Sequence, residues 1–365
     1  MTQSRLTVSS AMDDMALNAK AKFRTVDAAR VRDFIAAQPD VRGEVQIVSS
    51  EPLTAGAGAS NGILLFTAAL DRGSGTREEE LVLRFDPGVK PLFKQKVFAD
   101  EFHTLRAANA AGCRTPDTLW LDADGVFLGT PGFVMARIHG DAPASAFLNR
   151  GLLREAPAAA RRAMMLEAAG FHGRLRGMAI PPAEVPHLTR RGVGTTAIER
   201  ELNWWLAEIR ASGAHDDPHR RILESACTWM VEHQPSVYPA ALVHGDAQFA
   251  NVIFHDGQIA AVIDWELAYI GHNEADLALQ VHLAEWHSEQ SGVVDGVPTE
   301  NDFVERYERE SGELVEGWEF FRAFIIFKAA TCSFLLRANF PVFEDVWASQ
   351  WRHLEGALRR AGWRG

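Results

Sequence analysis

An α+β fold of two lobes, a small antiparallel β-rich one followed by a larger and mostly helical one, is what this sequence predicts. Three observations predict it. Between Val45 and Phe85 the apolar residues come in β-branched or aromatic runs separated by turn residues. From Ala156 onward they recur at helical spacing. The chain has 365 residues, enough to bury a large core and to leave a cleft between two lobes.

Residues 1–22 mix Asp13, Asp14, Lys20 and Lys22 with small residues. They contain no apolar h-region, so no signal peptide is expected, and the segment reads as a flexible N-terminus. Residues 26–37 have helical spacing. Strands are expected at 45–48, 63–66 and 81–85, with 73–80 as a polar hairpin loop between the last two. Residues 94–111 read as helix, and 126–129 and 133–136 as strands that complete the sheet. A first lobe over 23–137 then ends at Ile138-His-Gly-Asp-Ala-Pro, whose Gly and Pro mark a connector. The second lobe, 138–365, is expected to be helical over 156–175, 196–211, 218–233 and three stretches after Gly271. The most apolar long segment, 321–340, is interrupted by Arg322, Lys328 and Arg337, which suits a buried helix and not a membrane span.

Composition narrows the function classes. Apolar residues make up 47% and charged residues 23%, as in an ordinary globular protein. The net charge of −11 argues against a nucleic-acid partner, because phosphate backbones want a basic face. Cys113, Cys227 and Cys332 are odd in number and far apart, which fits reduced thiols and a cytoplasmic protein better than disulfides or zinc. The ten tryptophans, Trp204 and Trp205 among them, read as core or cleft wall.

The chemistry is concentrated in Leu242-Val-His-Gly-Asp-Ala-Gln-Phe-Ala-Asn-Val-Ile-Phe and the following Val262-Ile-Asp-Trp-Glu. A carboxylate, an amide five residues later and a second carboxylate at the end of an apolar strand are what phosphoryl transfer from a nucleotide requires. Asp246 is the candidate base for an acceptor hydroxyl, a role that typically contributes ~10²–10⁴-fold. Asn251 and Asp264 are the candidate Mg²⁺ ligands, two protein oxygens being enough for a cation that keeps phosphates and waters. His244 stands two residues before the base and is expected to act on the loop, mainly by holding its backbone. Asp276 is expected to cap a helix or to anchor the catalytic loop from below.

Two features upstream suit the nucleotide. Gly56, Gly58 and Gly62 let the backbone bend closely over phosphates, and Ser60 and Asn61 add side-chain donors. This is not a Walker loop, since no Gly-Lys-Ser/Thr follows. In Leu81-Val-Leu-Arg-Phe the side chains alternate, so Arg84 shares a face with Val82 and needs a partner in an apolar strand. Glu101 lies on the apolar stripe of its helix and is the expected partner. The pair would place a guanidinium near the phosphates.

At these residues the chain resembles the aminoglycoside phosphotransferase / choline kinase family, small-molecule kinases that share the protein kinase fold. His244-Gly-Asp246, Asn251 and Ile263-Asp264-Trp265-Glu266 match the family's catalytic stretch. The Ser60-Asn61 loop resembles its glycine-rich loop, and Glu101 falls where its ion-pair glutamate would be. By the same resemblance Met135 to Arg137 should contact the adenine ring. The resemblance implies ATP, with GTP as an alternative, Mg²⁺, and a small-molecule hydroxyl acceptor. Two departures stand out: Arg84 replaces the strand lysine, which is not a neutral swap, and Gly271-His-Asn-Glu replaces the usual Gly-Asp-Pro. The Arg-containing strand and the Ile198-Glu-Arg-Glu-Leu-Asn-Trp-Trp helix look most like the branch related to kinase domains fused to acyl-CoA dehydrogenases, associated with hydroxyacyl-CoA phosphorylation. Antibiotics and other alcohols stay open as acceptors, and so does a nucleotide-binding pseudokinase that regulates a partner protein.

Overall fold

The computed structural model describes residues 23–364 apart from 54–60, 90–92, 95–96, 144–147, 149, 179, 181–183, 190–191, 214–215, 237–239 and 338–342. The N-terminal segment 1–22, Ser60, and Gly56 and Gly58 of the glycine-rich loop therefore lie outside the described residues.

The first lobe is built on a sheet. Helix α1 (Ala28–Ala36) starts at Asp27, whose carboxylate accepts from the Arg30 backbone N–H at 2.9 Å. Strands β1 (Arg42–Pro52), β2 (Gly62–Asp71), β3 (Thr76–Phe85), β4 (Thr118–Asp122) and β5 (Gly132–Ala136) form one antiparallel sheet in the order β1-β2-β3-β5-β4. Leu64, Phe66, Leu81 and Leu83 pack on one face with Val31, Phe34 and Ile35 of α1. The opposite face presents Val82, Phe133 and Met135 to helix α2 (Phe98–Ala110), where Phe102 and Leu105 meet them. The period-two alternation of β3 thus sends its leucines to α1 and Arg84 to the α2 side.

The second lobe is helical: α3 (Leu152–Glu155), α4 (Ala158–Arg176), α5 (Pro186–Thr189), α6 (Ala197–Ala211), α7 (Pro218–Glu232), α8 (Glu274–Ser291), α9 (Glu300–Ser311), α10 (Trp318–Arg337) and α11 (Phe343–Arg360). Between α7 and α8 run four short strands. β6 (Ala241–Val243) pairs antiparallel with β9 (Tyr269–Gly271), and β7 (Val252–His255) with β8 (Gln258–Val262). The apolar side chains that hold α2 on the sheet are continuous with Leu148, Met165, Phe254, Val262 and Trp265, so a packed core joins the lobes behind the cleft. Helix α10 is buried on nearly all sides through Phe320, Phe321, Phe324, Phe327 and Phe334, as its apolar run requires. Among the described residues no helix is long and apolar enough to cross a membrane.

Four sequence expectations are corrected. Residues 126–129 are a turn, not a strand: the Asp122 carboxylate accepts from the N–H groups of Val126, Phe127 and Leu128 at 2.8–2.9 Å, and this local network outcompetes strand pairing. The strand that fills the sheet is β4, just upstream. The hairpin loop is shorter than 73–80, because Thr76 to Glu80 pair with Thr67 to Asp71 and carry the sheet past its buried part. The helix expected from 94 begins at Phe98. After Gly271 the described residues form four helices rather than three, since Gly292 and Gly312 end α8 and α9 with left-handed backbone that breaks the pattern.

Several histidines are buried in the second lobe. Burial holds His282 and His287 down to about 3, with His353 and Arg322 adding to the first and His282 to the second. Burial likewise lowers His244 and His272 to about 4. Each has a folded pKa below its ordinary 6.5, so its contribution to stability is complete above pH 6.5 and is lost as pH falls toward 4. Asp246, pushed up to about 7, works the other way, but it is one group against four. Ordinary carboxylates stay ionised down to about pH 5. Thermal unfolding followed by circular dichroism should therefore show the midpoint falling between pH 6.5 and 5, at up to ~2 kcal/mol per buried histidine. A midpoint constant across that window would contradict the buried neutral state.

Candidate active site

The segment from β6 to β9 leaves and returns to one place. β6 ends at Val243, and the loop 244–248 leads into a 3₁₀ turn, Phe249–Asn251. The β7–β8 hairpin turns at Asp256 and Gly257, both at positive φ, the two-residue Asp-Gly signature of a tight hairpin. A second 3₁₀ turn, Trp265–Leu267, then leads back into β9. Pairing of β9 with β6 brings the two ends of the segment side by side. Gly245 is required at that crossing: it lies at φ +83, and a Cβ there would meet the Leu267 carbonyl oxygen at 2.1 Å.

Helix α8 holds this loop from below. The buried Asp276 carboxylate accepts from the backbone N–H groups of His244 at 2.7 Å and Gly245 at 2.9 Å, and His172 of α4 approaches it at 3.2 Å. Burial alone would raise this carboxyl, but His172, His244 and the backbone donors hold it below its ordinary value. Of the two roles expected for Asp276, the loop anchor is the one the hydrogen bonds give it. In the departing Gly271-His-Asn-Glu sequence, Asn273 donates to the Leu242 carbonyl, adding a second tie between α8 and β6.

His244 is fully buried. Its Nε2 lies 2.9 Å from the Ile263 carbonyl oxygen, and the Asp246 N–H donates to its Nδ1 at 3.3 Å. The ring therefore clamps the two carboxylate-bearing stretches together. Asp246 is half-buried, and its Oδ2 accepts from Gln248 Nε2 at 2.8 Å and Asn251 Nδ2 at 3.0 Å. Asn251 Nδ2 also donates to the Asp246 carbonyl at 2.9 Å, which leaves the amide oxygen as the atom able to hold a cation. Burial and the nearby Asp264 push Asp246 up to about 7, against the two amide donors.

Arg84 reaches this site from the sheet. Its guanidinium is buried, with Nε 2.9 Å from Glu101 and Nη2 2.5 Å from Asp264 and 3.1 Å from Glu266. The expected Arg84–Glu101 pair is present, joined by two carboxylates from the other lobe. Burial works against the charge, but Asp264, Glu101 and Glu266 more than offset it and keep Arg84 protonated. Asp264 has φ 67 and ψ 58, a left-handed conformation uncommon outside glycine and costing on the order of 1–3 kcal/mol. Asn61 donates to Glu266 at 2.7 Å. Met135 is buried in β5, its side chain within the core between the lobes. Arg137, just past β5, is exposed and pairs with Glu80 at 3.2 Å. Ser60 lies outside the described residues.

Sequence reasoning missed Glu266 and Gln248 as members of the site. Glu266 had a signal, since one carboxylate is poor provision for a buried guanidinium with five N–H donors. Gln248 had none beyond its position two residues after Asp246.

Two lobes, a buried arginine from the sheet and an Asp-Asn-Asp constellation from the helical lobe suit a phosphotransferase of the small-molecule kinase class, with a protein-kinase-like fold. A family model described as the phosphotransferase enzyme family matches residues 67–324, and the chain belongs to that family. Among solved structures it is similar to a putative aminoglycoside phosphotransferase from Ralstonia eutropha, with 19% identity, a TM-score of 0.65 and coverage of 92% of this chain and 98% of the other. It is also similar to a thermostable mutant of aminoglycoside phosphotransferase APH(4)-Ia in ternary complex with AMP-PNP and hygromycin B, with 18% identity, a TM-score of 0.57 and coverage of 92% and 99%. Among curated proteins it is 26% identical over 265 residues to mouse acyl-CoA dehydrogenase family member 10 (69% of this chain, 24% of that protein). Human acyl-CoA dehydrogenase family member 11 is likewise 26% identical over 265 residues (68% and 32%). The chain thus spans about a quarter to a third of the length of these relatives.

The Asp276 anchor can be tested by stability. Asp276→Ala leaves two buried N–H groups and His172 without their acceptor, and urea denaturation should show a loss of ~3 kcal/mol or more. A loss under ~1 kcal/mol would mean that the loop is held elsewhere.

Proposed function

We propose that the protein transfers the γ-phosphate of ATP to a hydroxyl of a small molecule, with Mg²⁺ as the metal. The reading is carried by one observation: Arg84 of the sheet lobe meets Asp264 of the helical lobe, beside the Asp246 carboxylate that Asn251 holds. Arg84, held by Glu101, positions phosphates. Ser60 and Asn61 cover them, and Met135 to Arg137 flank the adenine. Asp246 orients the acceptor hydroxyl and takes its proton. His244 keeps that carboxylate in place through the loop backbone.

The donor set suits Mg²⁺. Asn251 and Asp264 offer an amide and a carboxylate oxygen, with neither sulfur nor imidazole among them. The electrostatic crowding that raises Asp246 beside Asp264 is also what a divalent cation relieves. A cation bound there supplies neutralisation of charge on the phosphate oxygens.

The bound AMP-PNP and hygromycin B of the APH(4)-Ia structure support a nucleotide and a hydroxyl-bearing small molecule as substrates. For the acceptor, the acyl-CoA dehydrogenase family relatives favour a hydroxyacyl-CoA-like alcohol over an antibiotic. The free thiols Cys113, Cys227 and Cys332 suit the cytoplasm. A second reading, a nucleotide-binding pseudokinase, draws on the contact of Arg84 with Asp264, which sets a guanidinium against the carboxylate assigned to the metal.

ADP release from purified protein with Mg·ATP, across hydroxyacyl-CoA esters, aminoglycosides, macrolides, choline and sugars, separates the two readings. Stimulation by one acceptor class is expected; nucleotide binding with no stimulation by any would favour the pseudokinase. In the same assay Asp246→Asn should lower kcat by ~10²-fold or more while leaving nucleotide affinity unchanged. Asp264→Asn should instead abolish the Mg²⁺ dependence of nucleotide binding. Turnover of Asp246→Asn at the wild-type rate would remove the base assignment.

A further inference from the structure

We propose that Glu266 is a positioning residue for the nucleotide. It ties Asn61, at the end of the glycine-rich segment, to Arg84, and it keeps Arg84 seated when Asp264 is engaged by the metal. The inference rests on the phosphotransfer reading above and assigns a role that reading leaves open.

A single carboxylate oxygen makes both ties. Glu266 Oε2 accepts from Asn61 Nδ2 at 2.7 Å and from Arg84 Nη2 at 3.1 Å. All three groups are buried: the Glu266 side chain is 8% exposed, Asn61 5% and Arg84 5%. The donors lie on neighbouring strands of the sheet lobe, Asn61 just before β2 and Arg84 near the end of β3, where Gly62 pairs with Phe85. Glu266 is therefore the point at which the helical lobe grips the start of β2 and the phosphate-facing guanidinium together.

The geometry depends on the turn at Asp264. Residues two apart on an extended strand share a face but lie several ångströms from each other. The left-handed conformation of Asp264, followed at once by a 3₁₀ turn, folds the chain so that Asp264 and Glu266 both reach one nitrogen, Arg84 Nη2.

Competition for Asp264 explains why a second carboxylate is needed. In the structure the shortest contact of Arg84 is to Asp264, the residue assigned to the metal. A carboxylate shared with a divalent cation offers less negative charge to a guanidinium, and the two cations repel. With Glu101 alone left, a buried Arg would lose the acceptor for its Nη2 group. Glu266 remains in place as that acceptor, so metal binding need not unseat Arg84. An ammonium at this position is a compact charge with no planar fork to satisfy and could rest on Glu101 alone. The role of Glu266 is thus tied to the presence of arginine at position 84, and a purely structural counter-ion would show no such dependence on nucleotide.

The test is a double-mutant cycle on the full chain. Binding of AMP-PNP with Mg²⁺ is measured by titration calorimetry for wild type, E266Q, R84K and R84K/E266Q, with thermal midpoints recorded beside it. E266Q is expected to weaken binding about tenfold in the wild-type background and less than about twofold in the R84K background. Equal losses in both backgrounds, or E266Q binding within about twofold of wild type, overturn the inference. Should E266Q fail to fold, N61A decides: it removes the amide donor alone and is expected to weaken binding about threefold at an unchanged thermal midpoint, and unchanged binding overturns the tie. Wild-type protein that binds no AMP-PNP overturns the phosphotransfer reading itself; wild-type binding with an unaffected E266Q overturns only the role given to Glu266.

Discussion

The buried guanidinium of Arg84 is the constraint on which the rest of the site depends. A charge taken this far from water is tolerated only with hydrogen-bonded partners of opposite sign. One partner, Glu101, comes from the helix packed on the same sheet, and two, Asp264 and Glu266, come from the other lobe. Satisfying Arg84 therefore sets the position of α2, the register of the sheet against the cleft, and the approach of the segment after β8. All three carboxylates face one guanidinium, and two of them share its Nη2, so the electrostatics of the cleft behave as a unit and not as separate pairs.

The helical lobe solves a different problem, the placing of a short polar loop over an apolar core without leaving its backbone groups unpaired. The out-and-back path from β6 to β9 supplies strand pairing at both ends. Asp276 takes the two N–H groups at the start of the loop, and His244 joins its start to the Ile263 carbonyl near its end. Asp264 takes a left-handed backbone conformation where the segment turns toward Arg84, as Asp256 does at the β7–β8 turn. Beneath the loop, Lys328 of α10 sits in a cage of Trp205, Tyr269 and Phe324 and pairs with Glu201 at 3.1 Å, so even the one lysine of that helix is turned inward as support.

Much of this was legible in the sequence, for identifiable reasons. The strands of the first lobe announce themselves by alternation, because one face of each is buried and the other is not. The same alternation put Arg84 on the α2 side, and helical spacing put Glu101 opposite it. The spacing of Asp246, Asn251 and Asp264 could be read because the three lie on one short, locally folded segment. The turn at 126–129 was misread because its apolar residues look like a strand while the cause of the turn, Asp122, lies outside the window that suggests one. Met135 illustrates a subtler limit: its burial follows from strand alternation, but whether its side chain faces a ligand or the core depends on what packs across from it.

By itself the sequence determined the fold class and marked residue types whose short spacing suits phosphoryl chemistry, since these follow from periodicity and local pattern. Tertiary structure alone decided which carboxylates share Arg84, that Gln248 and Asn251 hold the same oxygen of Asp246, and that Asn61 reaches Glu266. Asn61 and Glu266 stand 205 positions apart, and Arg84 and Asp264 stand 180 apart. Contacts at such separations leave no local pattern in the chain. They exist only once the core between the lobes has packed and two distant stretches are held within the length of a hydrogen bond.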